Sequence, residues 1–263
     1  MDAHDNQAKL RLIRDVGFDR YFRAGTWAEY NRQFFDGLAE KYDATNALHS
    51  FGTKHAIDRA TCARIPLPPG ARVLDVCAGS GDISIEIART HPDARIVAFD
   101  ASAPMLQVAR RKAAGLGNIE FVTGDALHLP YPDAGFDAAV ISFGLRNLTD
   151  LEAGLREMMR VVRPGGCVSN IDQGKPSNPL FAAVYRAYFH HVAPVIGKLV
   201  FHRGEFNSFR YLPESNKYFP DQAGMAAIFR GLGFEDYRSH DYWLGAVAQQ
   251  VARVPARTGG ASA

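Results

Sequence analysis

Between Val73 and Ile85 the chain reads Val-Leu-Asp-Val-Cys-Ala-Gly-Ser-Gly-Asp-Ile-Ser-Ile, an apolar run that meets two glycines and then an amphipathic stretch. A short apolar run of this kind reads as a buried strand, and Gly79-Ser80-Gly81 as the tight corner that hands it to a helix. Such a corner brings backbone N–H groups and a helix N-terminus close to a ligand, because glycine puts no side chain in the way. Asp100 closes the next apolar run, Ala94 to Phe99, about one strand–helix unit later. A carboxylate there can accept hydrogen bonds from both ribose hydroxyls of a nucleoside.

The pattern then alternates. Strand-like runs at Arg72–Val76, Ile96–Phe99, Ile119–Val122, Ala138–Phe143 and Cys167–Ile171 are interleaved with helix-like runs over 82–90, 103–115 and 151–162. A helix over 222–231 and two last runs, Asp236–His240 and Leu244–Val251, bring the strands to seven and end in a hairpin. This order predicts an α/β fold, doubly wound around a mostly parallel seven-stranded sheet, with ligand at the carboxyl ends of the strands. Four segments follow: a helical N-terminal arm and lid (1–69), the nucleoside-binding core (70–174), a cap insertion (175–220), and a C-terminal helix and hairpin completing the sheet (221–263). In the first of these, Trp27, Tyr30, Phe34, Phe35, Leu38 and Tyr42 recur at helical spacing, a face suited to packing over the core.

The glycine pattern narrows the ligand. A dinucleotide fingerprint places a third glycine where this chain has Ser84, and Asp82 at the helix start would repel phosphate oxygens. S-adenosylmethionine has a sulfonium, an ammonium and no phosphate, so Asp75 and Asp82 suit it. A nicotinamide cofactor is the competing ligand, and an ordinary strand–turn–helix corner the competing explanation.

Composition limits the partners. The 263 residues are 47% hydrophobic with a net charge of +2, enough to fill a core and too balanced to favour nucleic acid. Cys62, Cys77 and Cys167 lie far apart without a Cys-x-x-Cys, as expected of thiols in a reducing compartment. The polar start carries no signal-peptide pattern, and no stretch reaches the length of a membrane span. A cytoplasmic protein is expected, with peripheral membrane contact and pairing into a homodimer both compatible with the sequence.

Strand ends hold the remaining candidates. After the third strand, Asp125 can accept from an adenine amino group, with backbone near Ala126 reading the ring; it can equally be a turn-former. Met105 can cover an adenine face or fill the core. At the fourth strand's end, Ser142-Phe143-Gly144-Leu145-Arg146-Asn147 sets Arg146 and Asn147 directly after a glycine, placed to orient a phenolate; otherwise they are an ion-pair partner and a turn residue. His190, His191 and His202 lack metal-ligand spacing, so no metal is expected. The aromatics Phe181, Tyr185, Tyr188, Phe189 and Phe201, near Lys198 and Arg203, can cover a greasy substrate tail, touch a membrane or pack on the sheet.

Taken together, these residues resemble the C-methyltransferases of ubiquinone and menaquinone biosynthesis. The resemblance runs from about Phe34 to Val251. It rests on Tyr42-Asp43 with Asn46, Ser50-Phe51-Gly52, Val73 through Asp82, Phe143-Gly144-Leu145-Arg146-Asn147, Arg163-Pro164-Gly165-Gly166, Lys175-Pro176, Gly197-Lys198-Leu199, Tyr211-Leu212 and Phe219-Pro220-Asp221. The likeness implies a class I methyltransferase fold, Rossmann-like, with S-adenosylmethionine as donor and a quinol or related phenolic ring, prenylated in the family, methylated on carbon. It places Tyr42, Arg146 and Asn147 at the transfer site. Asp75, Gly79, Gly81, Asp100 and Asp125 would hold the donor, with Ala78, Asp82, Ala101, Met105, Ala126 and Ser142 beside them. An oxygen- or nitrogen-methyltransferase on the same scaffold is the alternative. Arg146 is too basic to take a proton, so a water it polarises, His55 or Tyr42 is the expected acceptor. The chain departs from the family pattern at Thr45, at Lys54-His55, and at Asp172-Gln173-Gly174 where Glu-Phe-Ser is usual.

Overall fold

The computed structural model describes residues 26–192, 195 and 215–256. The expectations for the leading arm and for Lys198, Phe201, His202 and Arg203 lie outside the described residues, as do those for the side chains of Phe189 and His190.

Three helices precede the sheet: α1 (Trp27–Leu38), α2 (Tyr42–His49) and α3 (Lys54–Cys62), the first two joined by a 3-10 turn at Ala39–Lys41. Thr26 starts α1 with a capping box, its hydroxyl accepting from the Glu29 N–H while the Glu29 carboxylate accepts from the Thr26 N–H. Trp27, Tyr30 and Phe34 are buried and stack along one face, ring centroids 5.5 and 6.2 Å apart.

The remaining elements are β1 (Arg72–Val76), α4 (Asp82–Thr90), β2 (Arg95–Asp100), α5 (Ala103–Lys112), β3 (Ile119–Thr123), β4 (Phe136–Ser142), α6 (Leu151–Val161), β5 (Val162–Gln173), α7 (Pro179–Ala187), α8 (Gln222–Gly231), β6 (Glu235–Tyr242) and β7 (Val247–Arg253). The sheet has seven strands in the order β3-β2-β1-β4-β5-β7-β6. Pairing is parallel from β3 through β5, and β7 runs antiparallel to both of its neighbours.

Both faces of the sheet are covered, which is why its central strands are apolar without alternation. Leu74, Val76, Val97, Ala139 and Ile141 face a core shared with Leu155 and Met158 of α6 and Met225 and Phe229 of α8. Val73, Ile96, Ala138 and Val140 face the other side, against Ile83 and Ile87 of α4 and Cys62 of α3. β5 begins five residues earlier than its apolar run, because the Gly165 N–H and Gly166 carbonyl pair with Val254 beyond β7, at 2.8 and 2.9 Å. No helix among the described residues is long and apolar enough to cross a membrane.

Candidate active site

A cavity of about 390 Å³ opens over the carboxyl ends of β1, β2, β3 and β4. Its floor is built from the strand ends: Cys77 and Gly79, then Asp100 to Ser102 with Met105, then Gly124 to Leu127, then Ser142 to Gly144. Its roof is α1, through Ala28, Glu29, Asn31, Arg32 and Phe35. The roof is fastened to the floor by the Asn147 carbonyl, which accepts from Trp27 Nε1 at 2.8 Å and from Asn31 Nδ2 at 3.1 Å.

Gly79 adopts a left-handed φ of 56°, and a Cβ there would stand 3.2 Å from Met105 Cε. That conformation aims its N–H at Asp100 Oδ2 (2.8 Å), while the Ser102 N–H donates to Oδ1 (2.8 Å). A carboxylate offers about four acceptor sites, more than these backbone donors fill. Burial pushes the Asp100 carboxyl above its ordinary pKa, and these backbone donors oppose the rise. Among the described residues the cavity's charge is acidic: Glu29, Asp100 and Asp125 line it against Arg32, which also pairs with Asp36 at 3.2 Å. A cationic nucleoside suits that wall better than a pyrophosphate.

A second cavity, of about 100 Å³, lies against the first and shares Phe35, Tyr42 and Phe143 with it. Arg146 lines it, with Nη1 donating to Asp172 Oδ1 at 2.5 Å and to the Phe143 carbonyl at 2.8 Å. Lys54, another wall residue, bonds Asp58 at 2.7 Å and Asp82 at 2.9 Å. Burial disfavours the Lys54 charge, but the two carboxylates outweigh it and the pKa rises. Burial also raises Tyr42, and raises Tyr185 to about 12. His49 completes the ionisable groups of the wall; burial, with Arg146 adding to it, lowers its imidazole to about 4.

Residues 25–253 match the model of the ubiE/COQ5 methyltransferase family. The chain belongs to this family. A demethylmenaquinone methyltransferase of Deinococcus radiodurans is 41% identical over 221 residues, which cover 81% of this chain and 91% of that protein. A ubiquinone/menaquinone biosynthesis C-methyltransferase UbiE of Geotalea daltonii is 36% identical over 228 residues, covering 85% and 96%. Among solved structures, a SAM-dependent methyltransferase from Aquifex aeolicus superposes with a TM-score of 0.55 at 18% identity, over 75% of this chain and 89% of that one, a likeness of fold.

Within this ubiE/COQ5 frame the expected site residues separate into two groups. Gly79, Asp100, Ala101, Met105, Asp125, Ala126 and Ser142 line the larger cavity, Arg146 lines the smaller, and Tyr42 lines both. Asn147 lines the larger cavity rather than standing with Arg146 in the smaller. Five others are not wall residues of either cavity. Asp75 is turned to α4, where Oδ2 accepts from the Ser84 N–H at 3.0 Å and hydroxyl at 2.6 Å. Ala78 donates its N–H to the Phe99 carbonyl, 3.0 Å away. Gly81 caps α4 at φ 81°, where a Cβ would come within 2.9 Å of Ala109 Cβ. Asp82 sits between Lys54 and Lys112, which overcome its burial and hold its carboxyl below the ordinary range. Its negative charge is therefore met by protein. His55 is exposed on α3 and lines neither cavity.

Four wall or supporting residues are not among the site residues expected from the sequence: His49, and Lys54, Asp172 and Gln173, which enter there only as departures from the family pattern. The α1 face was expected to pack over the core as part of a lid, and it lines the larger cavity. Asp172 was visible only as a departure from the family pattern; it supplies a carboxylate to Arg146 all the same.

Proposed function

We propose that this methyltransferase uses S-adenosylmethionine to methylate a ring carbon of a quinol in quinone biosynthesis, of the demethylmenaquinol type. Family membership carries the reaction class, and the relatives' names carry the substrate class. The structural observation that supports it best is the shared wall: an acidic, glycine-floored cavity and a smaller cavity holding Arg146 meet at Phe35, Tyr42 and Phe143.

Asp100 would hold the ribose of a donor in the larger cavity, Met105 and Phe99 would flank its base, and Asp125 with Ala126 would close the far end. When bound, the donor supplies an electrophilic methyl on a sulfonium. The protein's part is to exclude water beneath α1, hold the ring in the smaller cavity, and favour the phenolate, whose charge makes the neighbouring carbon nucleophilic. Arg146 is fixed for the last role: Asp172 sets the guanidinium's position, and Tyr42, still protonated, can donate to the same oxygen.

The four-part division of the chain belongs to the same reading, the described parts of 1–69 and 175–220 enclosing the site and the described parts of 70–174 and 221–263 forming the sheet. So does peripheral membrane contact in the cytoplasm: Leu180 and Val184, one turn apart on α7, are 76% and 60% exposed and neighbour Tyr185 of the smaller cavity. Self-association into a homodimer is read by light scattering, membrane contact by flotation with lipid vesicles. The reaction is tested with methyl-labelled donor and reduced demethylmenaquinone. Label in the quinone ring is expected; calorimetric donor binding without any ring product would sink the substrate assignment.

A further inference from the structure

If the smaller cavity seats a phenolic ring, its hydroxyl proton must reach a basic group of the wall, directly or through a water such as one polarised by Arg146. Among the described residues, five wall groups can exchange protons: Tyr42, His49, Lys54, Arg146 and Tyr185. Arg146 is a guanidinium bound to Asp172 and does not deprotonate. Lys54 is held as an ammonium by Asp58 and Asp82. Tyr42 and Tyr185 are pushed upward by burial, keep their protons near neutrality, and act as donors. The carboxylates behind this wall, Asp58, Asp82 and Asp172, are occupied by those same cations and are not wall residues. His49 remains. Burial and the Arg146 charge keep its imidazole neutral at physiological pH.

We propose that His49 is the catalytic base of the smaller cavity, a role that rests on the function proposed above. The ring O–H bond breaks, its electron pair stays on oxygen, and the proton passes to the imidazole, leaving a phenolate in the cavity that Arg146 lines. His49's reluctance to be charged does not oppose this. A proton drawn from bulk water would bring net charge into a buried place, whereas a proton passed from a bound hydroxyl creates two opposite charges side by side.

The test uses the full-length protein and its H49Q and H49N variants, with calorimetry of S-adenosylhomocysteine confirming that the larger cavity is intact. The first readout needs no turnover. With that analogue bound, 1-naphthol should show a naphtholate absorption band in the parent protein near pH 7 that both variants lose. In the labelled-donor assay, the variants should turn over about 100-fold or more slowly, with the quinol KM within about threefold. Their rate should climb about tenfold per pH unit as hydroxide replaces the base, while the parent stays level from about pH 6 to about pH 9. A variant that keeps the naphtholate band and a level rate within about threefold of the parent would overturn the assignment. Should the parent methylate no quinol, the function reading fails separately and the naphthol band still decides the role of His49.

Discussion

Arg146 and Asp172 form an ion pair that is almost wholly removed from water, with side chains 6% and 1% exposed. Asp172 also accepts from the backbone N–H groups of Arg146 at 3.3 Å and Gln173 at 2.8 Å, so the carboxylate is fixed before it meets the guanidinium. Removing one partner leaves the other charged and buried, which costs about 3–5 kcal/mol. Asp172→Ala should show that loss in urea unfolding. Replacing both residues by methionine and leucine should cost less than either single change.

Arg146→Ala should lower kcat by about 100-fold while donor affinity, followed by calorimetry, moves by less than about threefold. The two effects separate because Arg146 lines the smaller cavity and not the larger.

At Gly79 an alanine would have to hold φ near 56° with its Cβ 3.2 Å from Met105 Cε. The left-handed backbone alone costs about 1–2 kcal/mol for a residue with a side chain. Gly79→Ala should therefore melt a few degrees lower and bind S-adenosylhomocysteine about tenfold more weakly, the second effect coming from the narrowed floor.

Asp75 gives a pH signature. Burial pushes its carboxyl from the ordinary 3.8 up to about 7, against the pull of the two Ser84 hydrogen bonds and with the Asp100 charge adding to the rise. Between about pH 4 and about pH 7 the folded protein therefore binds more protons here than the unfolded chain, and this group's contribution to stability falls as pH rises. Above about 7 the loss is constant. Asp75→Asn can keep both Ser84 bonds without a charge to bury, so its stability relative to the parent should grow across that window. At 1.36 kcal/mol per pKa unit the gain is bounded near ~4 kcal/mol, and about 1–3 is expected. Equal stability differences at about pH 5 and about pH 8 would contradict the buried-charge account.

Lys112 ties the lid to the core, with Nζ 2.6 Å from both Asp43 and Asp82 and 3.1 Å from Ser80 Oγ. The pairs are partly exposed, so Lys112→Met should cost about 1 kcal/mol, read as a shift of about 2–4 °C in Tm. Added salt should shrink the difference between the two proteins.

The scaffold was readable where one signal sufficed. β1 at Arg72–Val76 and α4 at Asp82–Thr90 coincide with the expected ranges, because the apolar run and the glycine corner agree. The floor of the larger cavity was legible from strand ends alone, since a parallel sheet opens its crevice there. Charges misled where partners come from elsewhere in the chain: Asp82 looks like a site for a cation until Lys54 and Lys112 close on it from α3 and α5. The two histidines of the lid make the same point. His49 and His55 both lie in helices, and which one looks inward depends on the reversal between them, where Phe51 and Gly52 take φ values of 49° and 75°. Asp172 read as a substitution, yet its reach to Arg146 is a matter of backbone placement in β5 that no local pattern records.

Phe35, Tyr42 and Phe143 form a partition between the two cavities, so any remodelling of these rings reshapes both at once. Leu38, Ile57 and Val247 border only the smaller chamber. Descendants with altered taste in aromatic guests should carry their changes on that remote rim, and an engineer wishing to widen the chamber without loosening the nucleoside should begin there.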